Sequence, residues 1–350
     1  MLKNIKKIAV MGHFGFGKEL LNGQTVKTKI LTAELEKQLG LEQVLKIDTH
    51  GGKKALPKLF FKAISALRKC QNVVILPAHN GVRFFVPILT FFNRFYKRKL
   101  FYAVIGGWLP KYLQDKPKLL KKLQKFDGIY VETNTMRVAL EEMGFKNVKV
   151  MPNCKELKIL SADEIVYSQT EPYKLCTFSR VMKEKGIEDA VNAVKAVNEK
   201  FGRTVYTLDI YGQVDGEQTE WFENLKAVFP EYIRYGGLGP FDQSVEVLKN
   251  YFALLFPTKF YTEGIPGTII DAYAAGVPVL SAQWESYADI INDNTGTGYE
   301  FGNNEKLVEI LVELGEHPKQ VFNKKQNCLN EAKKYQPSTA IQVLIDDLGN

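Results

Sequence analysis

The chain has 350 residues, 45% of them hydrophobic, and a formal net charge of +8. That length can bury two sizeable cores, so two domains are expected. Four widely spaced cysteines without a CxxC pair exclude a disulfide framework and a zinc site, and the longest apolar run, Phe84 to Phe92, is too short to span a bilayer.

The charge is unevenly spread. Residues 1–150 hold 28 Lys and Arg against 10 Asp and Glu, whereas residues 151–350 hold 19 against 29. No acid lies between Asp48 and Asp115, a window with twelve basic residues. Such polarity predicts that the first half meets something anionic and the second does not. The N-terminus runs directly into a strand pattern, with no signal-peptide core ahead of it.

In chain order, a strand is predicted over 5–11, then a glycine-rich loop, then a helix from Thr25 to Leu39 that stops at Gly40. Gln43 to Asp48 reads as the second strand, Leu56 to Lys69 as a basic amphipathic helix, and Asn72 to Pro77 as the third strand. An aromatic, basic segment (VPILTFFNRFYKRK) precedes a strand from Leu100 to Ile105. Lys118–Lys125, Gly128–Val131, Thr135–Met143 and Val148–Met151 continue the alternation, which predicts an open parallel sheet covered by helices on both faces. Cys154 to Pro172 reads as a polar linker. The alternation then restarts with a strand Tyr173–Phe178, a helix Ile187–Lys200 and a strand Val205–Tyr211, and continues with strands near 231–235, 252–256 and 277–281. Residues 304–348 are expected to be mostly helical, broken at Pro318 and Pro337. The predicted domains are 1–158 and 172–335, with 336–350 a helix returning to the first. Ligands of such sheets bind beyond the strand C-termini.

Three loops carry chemistry. Gly12 to Lys18 (GHFGFGK) satisfies most of a P-loop pattern, but Glu19 stands where a magnesium-binding hydroxyl belongs. The favoured reading is a strand-to-helix loop in which Gly15, Gly17 and Gly23 let the backbone approach a ligand. Arg180 and Lys185, five apart after a predicted strand, can clamp a diphosphate leaving group. In Glu263-Gly264-Ile265-Pro266-Gly267-Thr268-Ile269-Ile270-Asp271 a glycine- and proline-rich loop feeds a helix whose first N–H groups form an anion site. Asp271, about one turn in, can accept hydrogen bonds from a sugar diol, while Glu263 suits neutral hydroxyls. The plain alternative is a loop–helix junction whose acids are only dipole partners.

With Arg180, Lys185-Gly186 and the two acids separated by seven residues, the second half resembles the donor domain of GT-B glycosyltransferases of family 4. The AYAAGVPVLSA run, YGQ at 211–213, YGGLG at 235–239 and MPN at 151–153 extend the likeness, strongly after residue 150 and more loosely before it. It implies two facing Rossmann-like domains, a C-terminal helix crossing back to the first, and metal-independent retaining transfer from a nucleotide-diphosphate sugar. Carried over by position, Arg180 and Lys185 neutralise the diphosphate, Glu263 contacts the sugar, Asp271 the ribose, and backbone near Gly267 and Thr268 the phosphate. Gly212 and Leu238, in the YGQ and YGGLG runs, join the donor site. Asp271 replaces the family's usual Glu. The family often has a histidine after the strand that here ends FYAVIGGW, and His79, after the preceding strand, is the substitute. His13 has a similar standing, while His50 and His317 sit in no motif.

The acid-free window mixes aromatic anchors with Lys and Arg, as a helix on an anionic leaflet does, and the known nucleic-acid motifs are missing. The sequence thus predicts a cytoplasmic hexosyltransferase, peripheral on the inner face of the cell membrane. It would move sugar from a UDP- or GDP-sugar to a lipid-linked or saccharide acceptor in surface-polysaccharide synthesis, with no cofactor and no nucleic-acid partner. The alternatives are a catalytically weak nucleotide-sugar-binding protein at the membrane and a P-loop ATPase.

Overall fold

The computed structural model describes residues 5–17, 23–239 and 243–349. The chain divides into two compact units, one of Met1–Glu156 with Gln336–Asn350, the other of Leu157–Tyr335.

The first unit contains strands β1 (Lys6–Gly12), β2 (Val44–Asp48), β3 (Cys70–Ile75), β4 (Lys99–Ala103), β5 (Gly128–Val131) and β6 (Val148–Val150). They form one parallel sheet in the order β2-β1-β3-β4-β5-β6. Side chains of a strand alternate between faces, and here both faces are covered. Ala9 and Met11 point into one core with the helices Leu56–Lys69 and His79–Tyr96, while Ile8 and Val10 point into another with the helix Gly23–Leu39. The aromatic part of the aromatic, basic segment, through Tyr96, is thus the second half of an 18-residue helix that tolerates Pro87 in its interior, and its last three cations lie beyond the helix end.

Ile341, Leu344 and Leu348 of the last helices are buried on the Ile8/Val10 face, which brings the C-terminus back to the first unit. Each such aliphatic side chain contributes about 2 kcal/mol when fully buried. Asp347 fastens the end: Lys149 Nζ donates to its carboxylate at 2.6 Å and Tyr130 Oη at 2.6 Å.

The second unit contains β7 (Tyr173–Phe178), β8 (Tyr206–Tyr211), β9 (Ile233–Gly237), β10 (Ala253–Phe256), β11 (Val279–Gln283) and β12 (Gly296–Glu300). These too are all parallel, in the order β12-β11-β10-β7-β8-β9, a doubly wound arrangement. The strand β12 is absent from the sequence reading, because Gly-Thr-Gly-Tyr-Glu has neither an apolar run nor alternation; pairing with β11 holds it. The segment read as a linker is also more structured than expected. Leu160 and Ile165 are buried in the second core, and Leu160 N–H donates to Ala274 O at 3.0 Å. All four cysteines are buried and free.

Candidate functional site

Both sheets have a switch point, where neighbouring strands send their connections to opposite faces and leave a crevice. In the second unit it lies between β7 and β10. The chain leaves β7 through Ser179–Gly186 and leaves β10 through Pro257–Pro266. Two glycines make the close packing there possible. Gly186 has φ +69°, and a Cβ on it would lie 1.8 Å from Pro257 O; Gly212 has φ +135°, and a Cβ would lie 1.7 Å from Ser179 O. The two exits are further joined by Lys259 N–H donating to Glu184 O at 2.8 Å.

Lys185 from the first exit and Glu263 from the second form an ion pair. Their side chains are 14% and 16% exposed, so the pair is largely shielded yet reachable from the crevice. Thr258 Oγ1 donates to the same carboxylate at 3.2 Å, and the Lys185 ammonium lies 5.0 Å from the Phe260 ring centre. Thr258 and Phe260 belong to no motif that the sequence reading used.

Immediately beyond, the helix Gly267–Ala274 begins after Pro266 with no side chain capping it. Its first N–H groups therefore present an uncapped positive end. Thr268 Oγ1, in the first turn, is buried without a hydrogen-bond partner among the described residues. A buried hydroxyl left unsatisfied costs about 1–3 kcal/mol. Asp271 is 3% exposed, and Ser244 Oγ donates to its Oδ1 at 2.9 Å, so this carboxylate is held by the protein itself.

Of the other predicted site residues, Gly264 and Ile265 are buried in the loop wall. Gly212 packs on Ser179, as above. Leu238, after β9, is 66% exposed. Arg180 is 63% exposed, and its nearest carboxylate oxygen, from Asp215, is 3.8 Å away. The structure thus joins Lys185 and Glu263 directly and leaves Arg180 an outward-reaching cation.

Gly15, Gly17, Gly23 and His79 belong to the first unit. There the loop after β1 is closed by its own chain: the N–H groups of Phe14, Gly15 and Phe16 donate to the Asp48 carboxylate at 3.0, 3.2 and 3.0 Å, and His50 N–H adds a bond of 2.9 Å. Burial pushes the Asp48 pKa up, but these four donors prevail and hold it below the usual carboxylate value. A P-loop offers such amides to a nucleotide phosphate, whereas here the Asp48 carboxylate already accepts from them, which counts against a phosphate site at these residues. Lys18 and Glu19 lie outside the described residues. The same contact engages the Gly15 amide expected for the donor; Gly17 takes φ +80° and Gly23 opens its helix.

The β1/β3 switch point holds a cleft of about 1200 Å³ lined by His13, Gln24, His50, His79, Asn80 and Arg83, among others. Three of the chain's four histidines converge on it. His13 reaches Thr25 Oγ1 through Nδ1 (2.7 Å) and His50 Nδ1 through Nε2 (2.9 Å). Burial, then the neighbouring His50, lowers the His13 pKa. His79 lies against Trp108, with ring centres 3.9 Å apart; burial, then Lys116, lowers its pKa. His50 carries no motif, and only the fold brings it to His13. Among the described residues no group of three or more His, Cys, Asp or Glu is placed to hold a metal ion.

An open helix end beside a shielded Lys–Glu pair, at a switch point, can offer N–H donors and a positive end to an anion and a carboxylate to hydroxyls. Residues 162–335 match the family described as glycosyl transferases group 1. That match takes in nearly all of the second unit, Leu157–Tyr335. The chain is 22% identical over 151 residues to the amylovoran biosynthesis glycosyltransferase AmsK of Erwinia amylovora, a match covering 42% of this chain and 37% of that protein. It is 28% identical over 161 residues to the GtfA subunit of the UDP-N-acetylglucosamine–peptide N-acetylglucosaminyltransferase of Streptococcus pneumoniae serotype 4 (strain ATCC BAA-334 / TIGR4), covering 45% of this chain and 30% of that one. The matches thus span less than two fifths of these curated relatives. Among solved structures, Anabaena Alr3699/HepE in complex with UDP superimposes with a TM-score of 0.74 at 14% identity, covering 99% of this chain and 100% of that one. That likeness is one of fold, and the segment matched by the family model therefore sits in a chain with the two-domain GT-B fold.

Proposed function

We propose that the protein is a retaining glycosyltransferase of family 4. It transfers a hexose-type sugar from a UDP- or GDP-sugar to a lipid-linked saccharide acceptor in cell-surface polysaccharide synthesis. The observation that carries this reading is the uncapped helix Gly267–Ala274, with a Thr268 hydroxyl that has no partner among the described residues, next to the Lys185–Glu263 pair. The relatives named for amylovoran synthesis and for N-acetylglucosaminyl transfer support it, as does the UDP in the Anabaena structure.

In this reading the helix end and Thr268 hold the diphosphate, and Lys185 and Arg180 face it. The bond from the sugar's anomeric carbon to the phosphate oxygen breaks, and charge builds on the leaving diphosphate. Fixed cations and helix N–H groups stabilise that charge without reorganising. The acceptor oxygen bonds to the same face of the carbon, and its proton passes to the departing phosphate, so no protein nucleophile is required. Glu263, oriented by Lys185 and Thr258, receives the sugar hydroxyls. Asp271 contacts the ribose with whatever accepting capacity Ser244 leaves. No cofactor and no metal are required in this scheme, so turnover is expected to survive EDTA.

The protein would work on the anionic inner face of the cell membrane, with the basic first half toward it and nucleic acid excluded. Exposed Phe61, Phe91 and Phe95 on two adjacent basic helices favour this. Among the described residues no helix is long and apolar enough to cross a membrane.

The test is a thermal-shift panel followed by product analysis. UDP or GDP is expected to raise the melting temperature and ATP to leave it unchanged, since a ligand of the folded state stabilises it. Stabilisation by ATP alone would overturn the reading. Stabilisation by UDP with no sugar transfer across a panel of lipid-linked acceptors would reduce it to a nucleotide-sugar-binding protein.

A further inference from the structure

A second cavity of about 470 Å³ opens beside the histidine cleft, walled by Arg83, Lys116, Lys118 and Lys122 with Asp115 as its one acid. Arg83 lines both cavities. Among the described residues none of the four cations makes a salt bridge, and Lys116 instead donates to Tyr112 O at 3.0 Å with its ammonium 4.0 Å from the Tyr112 ring centre. The Tyr112 ring is in turn 5.0 Å from that of His79. One aromatic side chain therefore separates the cationic pocket from the histidine cleft. Four cations around one acid repel each other, so an anion entering the pocket gains both its own attraction and the relief of that repulsion. An Arg fork with lysines around it suits the oxygens of a phosphate.

The helix His79–Tyr96 links this pocket to an apolar surface. Arg83, Pro87, Phe91 and Phe95 recur every four residues, which places them along one ridge. Arg83 and Pro87 line the pocket, and Phe91 and Phe95 beyond them are exposed. Phe61 of the adjacent helix is exposed as well, and rings at 5–7 Å spacing connect it through Phe60 and Phe92 to Phe91.

We infer that this pocket holds the phosphate of a lipid-phosphate-linked saccharide. The sugar lies in the histidine cleft, and the lipid chain runs along Pro87, Phe91 and Phe95. A free phosphate shares the charge but makes no use of the ridge. That the bound lipid serves as acceptor rests on the transferase reading above; the pocket itself does not.

The probe is geranyl diphosphate, a short soluble prenyl diphosphate, titrated calorimetrically with and without saturating UDP so that the helix end at Gly267 is filled in one arm. Wild type is expected to bind it in both arms. An Arg83→Gln/Lys122→Gln double variant with an unchanged melting temperature is expected to bind on the order of tenfold to a hundredfold more weakly. Lys118→Gln, at an exposed position, gives a smaller loss in the same direction and serves if the double variant folds poorly. Inorganic pyrophosphate should bind more weakly than geranyl diphosphate, and Phe91→Ser/Phe95→Ser should remove the difference. Equal binding by wild type and double variant overturns the pocket. Equal affinity for the two probes overturns the lipid. Loss of sedimentation with phosphatidylglycerol vesicles but unaltered geranyl diphosphate binding also overturns the pocket, leaving only an anionic-membrane surface. If UDP fails to stabilise the protein while the pocket variants lose geranyl diphosphate, the transferase reading falls and the pocket stands; UDP stabilisation without geranyl diphosphate binding is the reverse.

Discussion

The two switch points use one backbone device in opposite ways. In each a glycine-rich stretch follows a parallel strand and points successive backbone N–H groups toward one acceptor position. In the first unit Asp48, at the end of the neighbouring strand, fills the loop and takes the amides of Phe14, Gly15 and Phe16. In the second, Pro266 leaves the helix uncapped and the Thr268 hydroxyl has no partner among the described residues. A carboxylate and a phosphate oxygen demand the same donors, so a nest satisfied internally is a structural joint. One left open lowers stability, and that cost is recovered only when a ligand arrives.

The largest effects should follow from the open site. Lys185→Ala and Glu263→Gln are each expected to lower turnover by about 10²- to 10³-fold, the range for removing one preorganised electrostatic group. Circular dichroism should show the fold retained, and turnover within a few-fold of wild type would remove both residues from the chemistry.

A crossed pair of substitutions sharpens the contrast. Thr268→Val removes an unsatisfied hydroxyl, so it should leave stability equal or higher while weakening UDP binding by about tenfold. Asp48→Asn should do the opposite, lowering stability by about 1–3 kcal/mol by taking an anionic acceptor from four N–H donors, with UDP affinity unchanged. Denaturant melts and UDP titrations of the two variants suffice. If Asp48→Asn weakens UDP while Thr268→Val does not, the roles of the two loops are reversed.

The smallest effect is the pH dependence of the closed loop. Asp48 has a folded pKa below its ordinary 3.8, so its contribution is complete above that value and is lost as pH falls toward the folded one. His13 has a folded pKa below 6.5, so the unfolded chain takes up its proton first and stability falls as pH drops below about 6.5. Melting curves of His13→Gln should decline less near neutrality, the remainder belonging to His79, whose pKa is lowered too, and those of Asp48→Asn should decline less in acid. A wild-type curve flat between pH 7 and 5 would contradict the histidine part.

What the linear sequence determined by itself is most of the elements and the place of the glycine- and proline-rich loop ahead of the helix Gly267–Ala274. Buried parallel strands such as Ala253–Phe256 and Gly128–Val131 are continuous apolar runs between turn residues, and helix ends are marked by glycine or proline, as at Gly40, Gly276 and Pro318. These signals are local, carried by residues within a few positions of one another. The tertiary structure alone decided which loop is open. Asp48 reaches amides more than thirty positions away, His50 meets His13 across 37 residues, and Lys185 meets Glu263 across 78. β12 is likewise a strand through its partner β11 and not through its own composition. A glycine-rich loop has the same sequence whether its donors face a ligand or a neighbouring carboxylate, and only the packing of distant strand ends tells the two apart.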